Sequence, residues 1–198
     1  METYEVEIEM LGDVVQNRAH PISGKDKVKW DDIPDSRQLE MRGHLTDNGT
    51  YGIPLTYFNG CLRDYFVEFS PWGSEKGTYF SSKDKRKNYI SGKLRVIPSN
   101  GSDMIDTEIT SDDDDFEIKK TPITVNNMGS TSLSTPVQPL LKLRGKKFII
   151  HVASAVEDRP MEEIKKLINE AGIMCGIGSW RSGGKGRFRV SNIKKIQT

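Results

Sequence analysis

The chain has 198 residues, of which 35% are hydrophobic and 29% are charged, a balance typical of a globular protein and not of a disordered one. Lys and Arg number 29 against 28 for Asp and Glu, so the overall charge gives no reason to expect a nucleic-acid partner. Such a partner would have to be bound by a local cluster. No apolar run approaches the roughly 20 residues of a membrane span, and Met1–Met10 lacks the apolar core of a signal peptide. We therefore expect a cytoplasmic protein with no membrane association.

The cysteines are Cys61 and Cys175, and their separation does not match a zinc site or a thiol-disulfide motif. Both lie among apolar residues, which predicts buried free thiols in a reducing compartment. We expect no bound metal and no cofactor.

The first predicted element is a β-strand that ends at Met10. Its apolar residues alternate with glutamates, the period-two pattern of a strand with one buried side and one solvent-facing side. The apolar residues are Tyr4, Val6, Ile8 and Met10, and the glutamates are Glu5, Glu7 and Glu9.

A long insertion is predicted at residues 12–52, where hydrophobic residues are sparse and Gly, Pro, Asp, Lys and Arg are frequent. One short strand is predicted within it, near Leu39–Leu45. A helix follows, because apolar residues recur at helical spacing from Pro54 onward, and this helix is expected to end before Pro71.

The middle of the chain is predicted to contain a basic loop at residues 72–91, a second strand at residues 93–98 and a second insertion at residues 99–140. The insertion is rich in Asp, Ser, Thr, Asn and Pro, and we expect it to be part hairpin and part mobile. It includes the acidic run Asp112–Asp115, for which a solvated loop is the default interpretation and repulsion or recruitment of a neighbouring protein is the alternative.

Four elements are predicted in the C-terminal part. A third strand begins at Lys147, and a helix with an apolar face covers residues 160–171 and ends at Gly172. A short apolar strand, residues 173–176, then leads into a glycine-rich loop, and a last strand contains Phe188 and Val190.

The ordered elements follow one another as strand, helix, strand, strand, helix, strand. This is the βαββαβ order of a ferredoxin-like α+β fold, and we expect a single modified domain, residues 1–198, with both helices on one face of an antiparallel sheet. The first and last strands are neighbours in that topology. The glutamates of the first strand could therefore pair with Arg187 and Arg189, which is the structural alternative to a ligand-binding role for these two arginines.

The segment from Gly176 to Arg189 combines the features expected of a phosphate-binding loop. Its glycines can adopt positive φ and let another backbone come close, so N–H groups could face phosphates. Its cations could contact the same phosphates, and Trp180 offers a face for base stacking. The candidate nucleic-acid-binding residues are Gly176, Gly178, Trp180, Arg181, Gly184, Lys185, Gly186, Arg187 and Arg189.

Two Gly-x-Gly pairs, Gly176-Ile177-Gly178 and Gly184-Lys185-Gly186, resemble the glycine-rich loop of the RAMP superfamily, the CRISPR-associated backbone subunits and guide-RNA-processing endonucleases. That resemblance implies a ferredoxin-like fold with RNA near the C-terminal loop. Gly52-Ile53-Pro54 before the first helix is similar to the helix entry of RAMP backbone subunits. The C-terminal segment also resembles small tailed-phage proteins, which suggests a phage-encoded relative. Lys185 departs from the family pattern, which usually has a hydrophobic residue there.

These observations favour a non-catalytic protein that binds single-stranded RNA, or alternatively DNA, and that assembles as a repeating subunit, a homo-oligomer or filament. Further basic residues could extend the path of the strand: Lys25, Lys27, Lys29 with Trp30, Arg63 and the cluster Lys83–Lys87.

Two other functions remain open. A metal-independent RNA endonuclease would need a histidine as general acid or base, and His20 or His44 could reach the loop, whereas His151 lies inside a predicted strand. A phage-encoded decoy would instead bind a host defence complex. A P-loop is excluded because Gly183-Gly184-Lys185 is not followed by Ser or Thr.

Overall fold

The computed structural model describes residues 1–17, 33–69, 83–99, 101–120, 123–127, 130–156, 159–179 and 181–196. Its centre is a four-stranded antiparallel sheet. In chain order the strands are β1 (Glu2–Met10), β4 (Leu94–Ile97), β10 (Lys147–Ser154) and β11 (Phe188–Ile196). They lie in the order β11-β1-β10-β4 across the sheet, so the first and last strands of the chain are neighbours. This is the ferredoxin-like strand order and confirms the predicted fold class.

Two helices cover one face of this sheet. They are α2 (Leu55–Phe69), between β1 and β4, and α4 (Met161–Met174), between β10 and β11. The predicted alternation in β1 is confirmed, because its apolar residues are buried against the helices while its glutamates face the other way. The core combines β1 with both helices, as shown by the packing of Tyr4, Val6, Ile8, Phe58, Leu62, Ile164 and Leu167 into one cluster.

The segment between β1 and α2 contains a helix where the sequence predicted a strand. It holds β2 (Val14–Val15), α1 (Asp35–Arg42) and β3 (Tyr51–Pro54). The predicted strand near Leu39–Leu45 is wrong: its first half is helical, and Leu45 forms only an isolated bridge with Tyr51. The buried face of α1 consists of Gln38, Leu39 and Arg42, so two of its three buried side chains are polar and no hydrophobic period marks the helix.

A third helix occupies the C-terminal part of the predicted basic loop. Helix α3 (Lys83–Lys93) packs against α2 and leads directly into β4. Residues 70–82 lie outside the described residues. The sequence does not predict this helix because the segment has many lysines and arginines and little apolar periodicity. Both residue types are nevertheless good helix formers.

The region between β4 and β10 is built from small antiparallel pairs. The strands are β5 (Met104–Ile109), β6 (Phe116–Lys120), β7 (Ile123–Asn127), β8 (Ser130–Ser134) and β9 (Val137–Leu141). Strand β5 pairs with β3, β7 with β8, and β9 with both β2 and β6. The run Asp112–Asp115 forms the turn between β5 and β6, in which the Asp113 carboxylate accepts hydrogen bonds from the backbone N–H and the hydroxyl of Thr110.

Helix α4 is longer than predicted, and Gly172 does not end it. The helix continues to Met174, so Ile173 belongs to the helix and the predicted short strand at residues 173–176 is wrong. A Cβ atom on Gly172 would lie 2.5 Å from the Phe188 side chain and from its carbonyl oxygen. Glycine is therefore needed there so that α4 can pack closely on β11, and it is not a stop signal.

Candidate nucleic-acid interface

The glycine-rich loop adopts the backbone conformation that its sequence predicts. Positive φ angles of 69° to 76° occur at the four glycines of the two Gly-x-Gly pairs, Gly176, Gly178, Gly184 and Gly186. A side chain would strain the chain at any of these positions. Between the two pairs, residues Arg181–Gly183 form a single 3₁₀ turn, so the loop consists of two sharp bends around one tight turn.

The glycines of the loop lie close to backbone carbonyl groups of the protein itself and leave no space there for a ligand's backbone. A Cβ on Gly186 would lie 1.8 Å from the carbonyl oxygen of Ile177, and a Cβ on Gly176 would lie 2.9 Å from that of Gly186. A Cβ on Gly178 would lie 2.8 Å from the Val15 carbonyl oxygen. Ile177, between the first two glycines, is fully buried. The loop is therefore a packed unit of the fold and not a supple connection.

Backbone hydrogen bonds join the loop to the segment that follows β1. The N–H of Gly186 donates to the Asp13 carbonyl at 2.7 Å, and the N–H of Ser179 donates to the Val15 carbonyl at 2.8 Å. Within the loop, the N–H of Ile177 donates to the Gly186 carbonyl at 2.9 Å. These three N–H groups are occupied by protein carbonyls, so phosphate recognition would have to come mainly from the side chains.

Two arginines from different elements share one carboxylate beside the loop. Arg63 on α2 donates from Nε and Nη2 to Oδ1 of Asp64, at 3.0 and 2.8 Å. Arg181 in the loop donates from Nη1 to Oδ2 of the same aspartate at 2.8 Å. Asp64 was not among the residues singled out from the sequence, since nothing in helix α2 marks it as the partner of a residue so distant along the chain.

A third guanidinium group, that of Arg187, adjoins this pair. Its Nη2 donates to the Arg181 carbonyl at 3.1 Å, while its Nη1 is buried and has no hydrogen-bond partner among the described residues. A buried donor without a partner is costly. Arg181 and Arg187 both line an open cleft of about 510 Å³ together with Asp64, Glu68, Phe69, Met174 and Cys175. We call Arg63, Arg181, Arg187 and Asp64 the arginine cluster.

The remaining two cations of the loop are each paired with a carboxylate. Lys185 Nζ lies 2.8 Å from an Asp13 oxygen, and this ion pair ties the loop to the segment after β1. Arg189, 55% exposed, donates from Nε and Nη2 to one oxygen of Glu9. The sequence predicted that glutamates of the first strand could pair with Arg187 and Arg189. Arg189 forms such a pair with Glu9, whereas Arg187 precedes β11 and donates to the Arg181 carbonyl instead.

The open face of the central sheet carries a series of ion pairs. Glu5 pairs with Lys194 at 2.8 Å, Glu7 with Lys147 at 3.2 Å and Glu9 with Arg189 at 2.8 Å. Lys147 and the Ser191 hydroxyl hold the pKa of Glu7 below its ordinary value, with the Ser191 hydrogen bond as the larger cause. This face is therefore close to neutral, in contrast to the arginine cluster.

Of the histidines in the described ranges, His44 is linked to the loop through Tyr57. Its Nε2 is 3.0 Å from the Tyr57 hydroxyl, and its ring meets that of Tyr57 edge to face. A Cβ built on Gly178 would lie 3.8 Å from the Tyr57 ring. Burial raises the pKa of Tyr57. The ring of Tyr57, which the sequence did not single out, thus stands between His44 and the first glycine pair.

Of the other two histidines, only His151 lies in the described residues. His151 lies on β10, as predicted, with Nε2 4.0 Å from a Glu5 oxygen. His20 lies outside the described residues, as do Trp180, Lys25, Lys27, Lys29 and Trp30. Of the predicted path residues, Arg63 joins the arginine cluster, and the cluster Lys83–Lys87 falls on α3.

The two cysteines are free and differ in burial. Cys61 is fully buried on α2, where burial raises the pKa of its thiol to about 12. Cys175 follows α4 in a turn, and it is partly exposed, contrary to the prediction of burial in a strand. Burial also raises the pKa of the Cys175 thiol. In the described ranges, no group of three or more His, Cys, Asp and Glu residues is arranged to hold a metal ion, and no helix has the length and apolar character to cross a bilayer.

Comparison with known proteins gives similarity at the level of three-dimensional structure. One similar chain comes from the cryo-EM structure of the Type III-B Cmr-beta bound to cognate target RNA, with 14% identity and a TM-score of 0.48 over 99% of this chain and 61% of that chain. Another is Cmr6 from Pyrococcus furiosus, with 13% identity and a TM-score of 0.45 over 95% of this chain and 97% of that one. The present chain thus spans 61% of the length of the first neighbour.

No protein-family model matches the chain, and no curated protein sequence matches it. The fold assignment rests on the strand pairing of the central sheet, which can be followed residue by residue.

Proposed function

We propose that the protein binds single-stranded RNA, with DNA as the alternative ligand, without cleaving it, and that the arginine cluster beside the glycine-rich loop holds the phosphate backbone. The observation that carries this proposal is the sharing of Asp64 by Arg63 and Arg181, with Arg187 adjoining them. Arg63 and Arg181 share that carboxylate, and Arg187 lies beside Arg181. Three arginines thus stand against two carboxylates, Asp64 and Glu68 of the adjoining cleft, which leaves a local excess of one positive charge. The resemblance of the two glycine pairs to the RAMP loop supports the same function.

The cations of the cluster can exchange a carboxylate for a phosphate at low cost. The side chains of Arg63, Arg181 and Asp64 are 41%, 39% and 34% exposed, and ion pairs with this exposure contribute about 1 kcal/mol or less to stability. A guanidinium group binds phosphate through paired N–H donors, as it binds a carboxylate. An RNA strand can therefore take over part of the hydrogen bonding of Asp64 without unfolding the loop.

The path of the strand can be extended along helix α2. Arg63 also lines a smaller groove of about 140 Å³ together with Arg95 at the edge strand β4. Helix α3, which carries Lys83–Lys87, packs against α2, and its residues Ile90 and Ser91 line the same groove. Contacts of this kind neutralise phosphates and do not distinguish bases, so we expect low sequence specificity.

The remaining loop residues have supporting roles in this proposal. The glycines fix the position of Arg181 and Arg187, and Lys185 and Arg189 lie along the same loop, where they can contact adjacent phosphates. Trp180 is proposed to stack on a base. Copies of the protein are proposed to assemble side by side along one strand.

The proposal is tested by titrating labelled single-stranded RNA and DNA with the protein at two salt concentrations, followed by size-exclusion chromatography of the mixtures. We expect binding that weakens as salt rises and complexes whose size increases with the length of the strand, and the comparison of the two strands decides between RNA and DNA. Absence of salt-dependent binding to either strand would overturn the proposed function. Binding by single copies only would overturn the side-by-side assembly.

A metal-independent RNA endonuclease is the second candidate, because the structure places His44 beside Tyr57 and Tyr57 beside the glycine loop. An imidazole and a phenol in contact can exchange a proton with a ribose hydroxyl and a leaving oxygen. RNA cleavage in the presence of EDTA that disappears in His44→Ala, and persists in His151→Ala, would support the nuclease. His20→Ala tests the second histidine predicted from the sequence.

The decoy hypothesis has a separate test. Tight association with a host defence complex in the absence of RNA, together with no RNA binding by the isolated protein, would favour it over both RNA-directed functions.

A further inference from the structure

The cleft beside the arginine cluster is lined by both charged and apolar side chains. The charged ones are Arg181 and Arg187 with the carboxylates Asp64 and Glu68. The apolar ones are Phe69 and Met174, which are 48% and 50% exposed although both are large hydrophobic residues. Exposed apolar residues that line a concave surface are more informative than scattered ones, because such surfaces often bind ligands.

We propose that this cleft holds one nucleotide unit, with the phosphate on Arg181 and Arg187 and the base against Phe69. The proposal rests on the proposed function, and it adds a base-stacking subsite to the phosphate contacts. The cleft volume of about 510 Å³ lies within the range of about 300–1,000 Å³ that is typical of small-molecule sites.

The unpartnered Nη1 of Arg187 is the observation that points to an anion. This atom is buried, and nothing among the described residues accepts a hydrogen bond from it, whereas Nη2 of the same group donates to the Arg181 carbonyl. Because Nη1 is buried, the Arg187 side chain must rotate to bring this atom to the cleft. A phosphate oxygen then supplies the missing acceptor and removes the penalty of an unsatisfied donor.

Asp64 does not prevent a phosphate from binding. When Arg181 turns from Asp64 to the phosphate, Asp64 keeps both of its hydrogen bonds from Arg63. The carboxylate therefore remains neutralised, and the exchange costs only the one contact between Arg181 and Asp64.

Phe69 is placed to receive a base. Its ring stacks on Tyr65 at a centroid distance of 5.1 Å and an interplanar angle of 26°, and this contact orients a ring that is otherwise half exposed. A base on the remaining ring surface would extend an existing aromatic stack, and stacking tolerates any of the bases.

The rate at which Cys175 is alkylated reports whether the cleft is occupied by a ligand. It lines the cleft and is partly exposed. Cys61, the other cysteine of the chain, is fully buried whereas Cys175 is not, so the alkylation of Cys61 is expected to be slower in the folded protein. Alkylation of Cys175 by N-ethylmaleimide can therefore be followed by mass spectrometry without replacing either cysteine.

The first measurement is the alkylation rate of Cys175 in the full chain, in the presence of a short oligoadenylate, of adenosine monophosphate or of ribose 5-phosphate. The second is the affinity of the Phe69→Leu variant for the oligoadenylate. We expect oligoadenylate and adenosine monophosphate to slow the alkylation, and ribose 5-phosphate to slow it much less because it has no base. Phe69→Leu, which keeps an apolar side chain, is expected to weaken oligoadenylate binding about tenfold. Ile173→Ala is the matched control, since Ile173 is 44% exposed at the end of the same helix as Met174 but does not line the cleft.

The outcomes separate this inference from the proposed function. If oligoadenylate binds but neither protects Cys175 nor distinguishes Phe69→Leu from the parent, the nucleotide subsite is wrong and the RNA-binding function stands. Equal protection by ribose 5-phosphate and adenosine monophosphate would overturn the base contact. If Cys175 becomes protected at high protein concentration without any nucleotide, the apolar side chains of the cleft form a contact between copies, and the inference is wrong. Failure of the parent protein to bind oligoadenylate at all would overturn the proposed function.

Discussion

The open sheet face and the arginine cluster both carry exposed cations, yet their charge arrangements differ. On the sheet face, Glu5, Glu7 and Glu9 each face a cation from a neighbouring strand, in the pairs described above. In the cluster, Asp64 accepts hydrogen bonds from two guanidinium groups, and the third, that of Arg187, donates to the Arg181 carbonyl. A surface with paired charges has little attraction for a polyanion, whereas a surface with surplus cations attracts one. The two surfaces thus differ in the partners of their cations, and under the proposed function RNA binds where cations are in surplus.

The largest effect is expected where the loop geometry itself is changed. Gly186→Ala would place a Cβ 1.8 Å from the Ile177 carbonyl at a φ of 69°, and we expect it to lower the free energy of unfolding by at least about 3 kcal/mol. Gly183→Ala is the matched control in the same loop. A Cβ at Gly183 meets nothing within 4 Å, so a change within about 0.5 kcal/mol is expected. Urea denaturation measures both, and equal effects would show that the loop is not packed as described.

A smaller effect is expected from removing the shared carboxylate. Asp64→Asn frees Arg63 and Arg181 from their competing partner, so we expect RNA binding to tighten by about two- to fivefold, the equivalent of one surface ion pair. Glu5→Gln removes a carboxylate from the sheet face, where its partner is Lys194, and we expect no change in affinity. Fluorescence anisotropy with labelled RNA measures both variants. Equal tightening in the two variants would show that only the net charge matters and would remove the distinction between the two surfaces.

The smallest effect concerns the acid stability of the sheet face. The pKa of Glu7 is lowered by the Ser191 hydroxyl and by Lys147. Its contribution to stability is therefore present above the ordinary pKa of 4.5 and is lost as the pH falls through the lowered value. We expect Glu7→Gln to reduce the dependence of the unfolding free energy on pH below that ordinary value, and to leave RNA binding at neutral pH unchanged. An unaltered pH dependence in chemical denaturation would contradict the pairing.

The central fold could be predicted from the sequence because its elements carry regular patterns. Alternation in β1 and helical spacing in α2 and α4 give the βαββαβ order directly. Helix α1 could not be found in this way, since its buried face includes Gln38 and Arg42. The end of α4 was misplaced because Gly172 has two possible explanations, a stop or a close contact with β11, and only the position of Phe188 decides between them.

The candidate site was only partly predictable for a similar reason. The glycines and cations of the loop are adjacent in sequence, so the loop itself could be recognised. Asp64 and Phe69 come from α2, and Asp13 comes from the segment after β1, so their approach to the loop depends on the packing of distant elements. The close contacts at Gly176 and Gly186 likewise involve the protein's own carbonyl groups, which the sequence does not reveal.

The most direct test of the account compares two variants that lose the same charge from the two surfaces. Arg181→Gln with Arg187→Gln changes the arginine cluster, and Lys147→Gln with Lys194→Gln changes the sheet face. The affinity for single-stranded RNA is measured over a range of salt concentrations. We expect the cluster variant to bind more weakly, with a plot of log affinity against log salt concentration that is shallower by about 1.4, because two phosphate contacts are lost. We expect the sheet variant to match the parent. Equal slopes for the two variants, or a cluster variant that binds as the parent does, would contradict the claim that the arginine cluster holds the RNA backbone.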